Sequence, residues 1–224
     1  MKFDLSVLSG YWPALASGLG GTLWLCIAGA AMAGALGILL TVGQRRGGPL
    51  LAALIRGYTA LTLGLPLLVL LYLMFFVLPD FGVLLPAPLV GTVTLAIYYG
   101  PYVAEVIQAA VAAVPAGTVE AGVAIGMSPI AIARRIIAPQ ALPLLLPTLT
   151  GLMIGLFKDS ALLSVISVHE FMFAAKAVVS ETYAPLEVYF VVAMVYWAAT
   201  SFIHVSTRHW ERHLGRTQRA ALPR

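Results

Sequence analysis

The chain has 224 residues, of which 61% are hydrophobic and only 10% are charged, and its formal net charge at pH 7 is +4. Its mean hydropathy is +0.96. A water-soluble domain of this length could not bury so much apolar surface, so the composition predicts an all-α integral membrane protein. The length fits one bundle of five spans at about 20 residues per crossing. Cys26 is the only cysteine, which excludes an internal disulfide.

The hydrophobic segments predict one interfacial segment followed by five membrane spans. Residues 1–17 are predicted to form an extracytoplasmic interfacial segment, with Tyr11 and Trp12 at the level of the lipid headgroups. Five predicted spans follow, at about 18–42, 52–78, 88–111, 140–157 and 186–205. Small residues recur every four positions in span one, a pattern typical of close helix packing in lipid. Proline predicts a break at Pro66 in span two and another at Gly100-Pro101 in span three.

The arginines indicate the orientation of the spans. All ten lie in the first loop, at the edge of span two, in the loop between spans three and four, or in the basic tail 208–224. Five spans place these segments on one side, and the other side holds only Lys2 and Lys176 as basic residues. The positive-inside rule then predicts an outside N-terminus and a cytoplasmic C-terminus. Because the basic residues follow topology, they do not indicate nucleic-acid binding.

The loop 115–139 is the longest relatively polar interruption of the chain. Thr118 is predicted to cap a short helix that runs to Ile125. Glu120 lies in the first turn of that helix, where a negative charge suits the helix dipole. Gly126 is placed to end the helix in the left-handed conformation.

A second short helix is predicted to follow in the same loop. Ser128 provides a hydroxyl cap and Pro129 stands at the first helical position. This helix is expected to run to about Ala138 and to end before Pro139. By spacing alone, the two helices fit equally well a surface offered to a partner protein and an amphipathic connector lying on the lipid.

The same loop resembles the coupling motif of importer permeases of the ATP-binding cassette (ABC) class. That motif is Glu-Ala-Ala, then a Gly six residues after the Glu, then Ile-x-Leu-Pro. The residues at matching spacing here are Glu120, Ala121, Gly122, Gly126, Ile136, Ala138 and Pro139. Gly122 stands where the motif has its third residue, Ala, and Ala138 stands where it has Leu.

Three further segments resemble the polar amino-acid uptake branch of these permeases. Residues 64–69 resemble Gly-Thr-Pro-Leu-Leu-Val, residues 102–105 resemble Tyr-x-Ala-Glu, and residues 158–166 resemble Lys-Asp-Thr-Ser-Leu-Val-Ser-Val-Ile. The chain departs from the branch at Leu63 and Gln108, where arginine is usual. These departures hint at a heterodimer whose other subunit keeps a fuller solute site.

The resemblance implies a five-span permease domain over residues 18–207 with the type I ABC importer fold, in the plasma (inner) membrane of a bacterium. It implies a second permease subunit, identical or homologous, two cytoplasmic ATP-binding subunits and an extracytoplasmic solute-binding protein. Residues 118–126 would be the coupling helix. The chain has no Gly-x4-Gly-Lys-Ser/Thr phosphate loop. ATP and Mg are therefore expected on the partner ATPase, and this chain is expected to hold no cofactor and not to be an enzyme.

The candidate residues for the solute path are polar groups or helix breaks within the predicted spans. They are Pro66, Tyr99, Tyr102, Glu105, Gln108, Lys158 and Asp159. An intramembrane Glu105 needs a partner or water, and a structural salt bridge to the partner subunit is the equal alternative. The helix is predicted to break at Lys158-Asp159, with Ala161–Val168 folding back as part of an outer gate; alternatively the pair marks the membrane surface. No cluster of His, Cys, Asp or Glu residues has the spacing of metal ligands.

Other classes fit the sequence less well. An ion-gradient-driven secondary transporter would usually be longer, with an inverted repeat and more buried acids. A membrane enzyme acting on lipids would need a cluster of polar groups at one interface, and a non-transporting scaffold would not explain the coupling motif. An ABC permease for a solute that is not an amino acid, such as an opine, remains the alternative within the class.

Overall fold

The structure is a computed structural model that describes the backbone of residues 3–220 and the side chains of residues 3–209. Within these residues the chain is helical, and its α-helices are α1 (Trp12–Arg46), α2 (Gly48–Gly64), α3 (Leu67–Tyr72), α4 (Ala87–Ala112), α5 (Ala116–Ala124), α6 (Pro129–Ile132), α7 (Ala138–Asp159), α8 (Phe171–Thr182) and α9 (Pro185–Ala220). Short turns of 3-10 helix (Leu5–Leu8, Leu78–Phe81, Ser160–Ile166) and of π-helix (Leu73–Val77, Ala133–Ile137) connect or extend them. The side chains of Arg212, Arg216, Arg219 and Arg224 in the predicted basic tail lie outside the described residues.

The membrane-crossing elements follow from length and composition. Four described helices are long and apolar enough to span a bilayer, and α2 with the helix after it forms a fifth candidate, bent by 107°. The bend falls at Leu65 and Pro66, both extended, which confirms the predicted break. The first span begins at Trp12, earlier than the predicted Gly18, because Pro13 occupies the first turn, where proline is tolerated.

The predicted break at Gly100-Pro101 is wrong, because α4 continues through Pro101 without interruption. Proline removes the hydrogen bond to the carbonyl four residues earlier, here that of Ile97. The hydroxyl of Tyr58 on α2 donates to this carbonyl oxygen at 2.7 Å. A neighbouring helix thus satisfies the backbone group that proline leaves free, as is common within membranes.

Close packing of α1 against α4 forms the centre of the bundle. Gly29, Ala33 and Gly37 are buried along one face of α1. A Cβ added at Gly37 would lie 2.6 Å from the Cγ1 atom of Val103 on α4. Small residues let the two backbones approach, as the repeat in span one predicts.

The segment after α7 is buried rather than exposed. The chain passes from α7 into the 3-10 helix Ser160–Ile166, and Ser167 adopts the left-handed conformation with φ 59°. Leu163 and Ile166 lie in the same core cluster as Leu95 of α4. At Lys158-Asp159 the chain changes helix type without a sharp bend, since residues 129–166 form one long span candidate. The predicted break is therefore wrong at that pair.

Candidate functional site

Two groups of predicted site residues take defined positions, and the first is the inner elbow, residues 116–137. Its first helix, α5, begins at Ala116, and the hydroxyl of Thr118 donates to the carbonyl of Pro115 at 2.7 Å. The predicted cap at Thr118 is wrong, because the helix begins two residues earlier and Thr118 lies inside it. Gly126 has φ +77° just after the helix, so the predicted left-handed glycine is confirmed.

The second half of the inner elbow begins as predicted and ends differently. The Oγ of Ser128 accepts a hydrogen bond from the N–H of Ala131 at 3.3 Å, with Pro129 at the first helical position. The helix does not end before Pro139, because a π-helical turn at residues 133–137 leads directly into α7. A proline ring crowds the preceding turn of a regular α-helix, and the wider π turn relieves this contact.

The two halves of the inner elbow pack against each other at Gly122. This glycine is buried, and a Cβ there would lie 2.6 Å from Cδ1 of Ile136. Glu120 and Ala121 are exposed on α5. Large apolar side chains are exposed beside them, namely Val123 (62%), Ile125 (78%) and Ile130 (71%). Several exposed large apolar side chains in one short segment, next to a charged residue, are typical of a site for a partner protein.

The second group is the tyrosine–aspartate cluster, Tyr98, Tyr99 and Tyr102 on α4 with Asp159 at the end of α7. The hydroxyl of Tyr99 donates to Oδ2 of Asp159 at 2.8 Å. The hydroxyl of Tyr102 contacts that of Tyr98 at 3.5 Å, and the three ring centroids lie 5.5, 5.5 and 6.0 Å apart. Aromatic faces beside a carboxylate form an environment that favours a cation.

The side chains of the remaining path candidates make no hydrogen bond to this cluster within the described residues. Glu105 is exposed and lines a separate cavity of about 380 Å³ together with Thr148. Six residues separate Glu105 from Tyr99, which turns the two side chains to different faces of α4. Gln108 is half-buried, whereas Lys158 and Pro66 are exposed, the latter at the bend of span two.

An apolar cavity adjoins the tyrosine–aspartate cluster. It has a volume of about 330 Å³ and lies between α1, α4 and α7. Its walls include Ala33, Gly34, Tyr99, Val103 and Leu156. The ring of Tyr99 therefore lines an apolar space while its hydroxyl binds the carboxylate of Asp159.

Sequence reasoning missed Glu170, whose side chain is fully buried. Its Oε2 accepts from the N–H of Met172 at 2.9 Å and its Oε1 from that of Phe173 at 2.6 Å, which caps α8. Burial raises the pKa of the Glu170 carboxyl, and its hydrogen bonds oppose that shift. An acid just before the apolar start of a helix could have suggested a cap. Nothing in the sequence indicated that it is buried.

The described residues contain no group of three or more His, Cys, Asp or Glu that could hold a metal ion. The site thus consists of an exposed elbow, a partly buried polar cluster and an apolar cavity beside it. This arrangement fits a protein that binds partners and passes a solute between helices.

The comparisons with known proteins agree with this architecture. The profile of the family "Binding-protein-dependent transport system inner membrane component" matches residues 33–216. The chain is 31% identical over 216 residues to the glutamine transport system permease protein GlnP of Escherichia coli (strain K12), covering 96% of this chain and 99% of GlnP. It is 30% identical over 200 residues to the probable amino-acid ABC transporter permease protein PatM of Vibrio harveyi, covering 88% and 90% respectively.

Solved structures show the same fold. A chain from the crystal structure of an amino acid ABC transporter with histidines superposes with a TM-score of 0.88 at 31% identity, covering 95% of this chain and 100% of that one. A chain of the inward-facing MetNI methionine ABC transporter superposes with a TM-score of 0.77 at 20% identity, covering 92% and 98%. The latter likeness concerns the fold alone.

The bundle, the elbow and the comparisons together define the class as a type I ABC importer permease, a multi-pass membrane protein. The chain belongs to the family of binding-protein-dependent transport system inner membrane components. The predicted resemblance to the polar amino-acid uptake permeases is confirmed. Its family is one of transporter permeases and not of enzymes, and such an importer works with an ATPase and a solute-binding protein.

Proposed function

We propose that this chain is one permease subunit of a bacterial inner-membrane complex that imports a polar amino acid. A second permease, two cytoplasmic ATPase subunits that bind ATP and Mg, and an extracytoplasmic binding protein complete the complex. The support is the likeness to amino-acid permeases over nearly the whole chain. The observation that carries the coupling role is the inner elbow, a short segment in which Glu120 and Ala121 of the motif and large apolar side chains are exposed.

The inner elbow is the docking element for the ATPase. Glu120, Ala121, Gly122 and Gly126 belong to its first helix and turn, and Pro139 lies in the first turn of α7, which would transmit the movement. The buried Gly122 ties α5 to Ile136, which leads into α7. A shift of α5 against the ATPase would therefore be transmitted to α7, because packed helices move as connected units.

The N-terminus lies outside and the C-terminus in the cytoplasm. Five crossings and the positive-inside rule support this orientation, because both arginine-bearing loops and the tail then share one side. The inner elbow is then cytoplasmic, and residues 160–184 lie toward the binding protein.

The solute path passes the tyrosine–aspartate cluster. Tyr99, Tyr102 and Asp159 offer aromatic faces and a carboxylate to the ammonium group of an amino acid. The adjoining apolar cavity would take an apolar part of the solute. Pro66, Glu105, Gln108 and Lys158 lie at other points and would serve the path outside this cluster. Residues 161–168 form part of the outer gate.

The test is uptake into proteoliposomes containing the co-expressed subunits, assayed with each radiolabelled proteinogenic amino acid in turn. We expect uptake that requires ATP and the binding protein, and that is lost in Glu120→Lys. Glu181→Lys, a charge reversal on the other side of the bundle, is the control and should transport normally. Uptake that persists without an ATPase subunit would contradict the proposed function.

A further inference from the structure

We infer that Glu170 and Thr22 are positioning residues of the transport cycle: they clamp the start of α8 to α1 and so hold Asp159 against Tyr99. We call the contact between residues 17–22 and 169–171 the outer clamp. The inference rests on the proposed function, since it assigns a role to residues that touch neither solute nor ATPase.

The first observation is the burial of a carboxylate that a simple cap would not require. Glu170 is 0% exposed. Taking a carboxylate out of water is unfavourable unless hydrogen bonds compensate for the lost hydration. An ordinary helix cap needs only a serine or an aspartate at the surface. The buried position of Glu170 therefore calls for a contact beyond its own helix.

That contact is Thr22 on α1. Its hydroxyl donates to Oε2 of Glu170 at 3.2 Å and accepts from the N–H of Phe171 at 3.0 Å. Thr22 is fully buried as well. One side chain of α1 thus binds both the side chain and the backbone at the start of α8.

The backbones of α1 and of the start of α8 also approach closely at two glycines that precede Thr22. A Cβ added at Gly21 would lie 2.5 Å from the carbonyl oxygen of His169, and one at Gly18 would lie 2.8 Å from Cβ of Ala174. Ser17 reaches Nε2 of His169 at 3.4 Å. The outer clamp is therefore a region of close packing between α1 and the start of α8.

The outer clamp is linked to Asp159 by two routes. The ring of Tyr196 on α9 packs on Phe171 with centroids 5.8 Å apart and on Phe157 with centroids 5.3 Å apart, which connects the start of α8 to the end of α7. The Nζ of Lys176 donates to Oγ of Ser164 at 2.8 Å, which ties α8 to the 3-10 helix that follows Asp159. A displaced α8 would therefore shift the end of α7.

The experiment separates the clamp from the cap. Thr22→Val removes both hydrogen bonds between α1 and the start of α8 and leaves the bonds from Met172 and Phe173 to Glu170 in place. Thr94→Val is the matched control, because Thr94 is also fully buried and its hydroxyl donates only within its own helix, to the carbonyl of Val90 at 2.7 Å. Thr22→Ser keeps the hydroxyl and should restore function.

The measured quantity is the number of amino-acid molecules imported per ATP hydrolysed by the purified, reconstituted complex. The probe is the radiolabelled amino acid that the wild type imports fastest. We expect Thr22→Val and Glu170→Ala to lower this ratio about fivefold or more, because each loses at least two buried hydrogen bonds and a single one is worth about fivefold. Thr94→Val and Thr22→Ser should keep it near the wild-type value.

The possible outcomes separate this inference from the proposed function. A side chain that only supports folding would change the amount of complex and leave imported solute per ATP unchanged. An unchanged ratio in Thr22→Val, or an equal fall in Thr94→Val, would overturn the role of the outer clamp. If the wild-type complex shows no ATP-dependent uptake, the proposed function fails, whatever the variants do.

Discussion

The inner elbow and the outer clamp solve opposite physical problems. The elbow exposes apolar side chains and its two halves pack on each other at a glycine, whereas the clamp buries a carboxylate and satisfies it within the chain. Covering an exposed apolar surface with another protein lowers the free energy. Moving the hydrogen-bond partners away from a buried carboxylate raises the free energy. The comparison therefore indicates that the elbow is a docking surface for another protein, whereas the clamp fixes the position of α8 against α1 within the chain.

The largest effect is expected from a charge placed on the exposed surface of the elbow. Ile125→Asp should abolish binding of the ATPase and lower uptake by about tenfold or more, because a central apolar contact residue is replaced by an uncompensated charge. Co-purification of the ATPase subunit and uptake measure the effect. Phe81→Asp is the matched control, since Phe81 and Ile125 are both 78% exposed. An equal loss in the control would remove the distinction between the two surfaces.

The next largest effect compares one added methyl group in the two regions. Gly21→Ala should lower the yield of folded complex several-fold, because the new methyl meets a carbonyl oxygen that cannot move aside. Gly122→Ala should change yield and uptake by less than about twofold, since its methyl meets the end of the flexible Ile136 side chain, which can rotate. Size-exclusion chromatography and uptake report the two results. A larger loss of yield in Gly122→Ala than in Gly21→Ala would show that the elbow is the more rigid region.

A smaller effect is expected within the tyrosine–aspartate cluster. Tyr99→Phe removes the donor at 2.8 Å from Asp159 and should lower uptake about fivefold, leaving ATPase binding intact. Tyr102→Phe is the control, because its hydroxyl makes only a 3.5 Å contact with Tyr98. Uptake kinetics and ATPase co-purification of both variants measure this effect. Equal rates for Tyr99→Phe and wild type would exclude the hydrogen bond from the solute path.

The smallest effect is a pH dependence of stability that originates at Glu170. Burial raises the pKa of this carboxyl, so the folded chain binds the proton more tightly than the unfolded chain. The stabilisation from protonation is complete below the ordinary value of 4.5 and is lost as the pH rises through the raised pKa. Lys176 on the same helix, Cys26 on α1 and Tyr196 on α9 are the titratable groups that interact with it.

Glu170→Gln is the control for this pH dependence, since glutamine does not titrate. The melting temperature of the wild-type complex, relative to that of Glu170→Gln, should rise as the pH is lowered from neutral toward 4.5. Thermal unfolding followed across that range measures the difference. A difference that stays constant with pH would show that Glu170 keeps one protonation state throughout.

Local signals explain why much of the loop 115–139 could be predicted. Gly126 and the Ser128-Pro129 pair act on their own backbone, so their conformations follow from residue chemistry without knowledge of the neighbours. The break at Pro66 is of the same kind. The cap at Thr118 failed because two start signals, Pro115 and Thr118, compete within one turn, and the earlier one begins the helix.

The sequence by itself determined the membrane class, the number of candidate spans and the family, because hydrophobic length and motif spacing are properties of the chain alone. Only the tertiary structure decided that Pro101 leaves α4 unbroken, since the hydroxyl of Tyr58 on another helix satisfies the carbonyl of Ile97. It likewise decided that Asp159 meets Tyr99 and that Glu170 meets Thr22. These pairs are far apart along the chain, and only the packing of α1, α4, α7 and α8 brings their polar atoms within hydrogen-bonding distance.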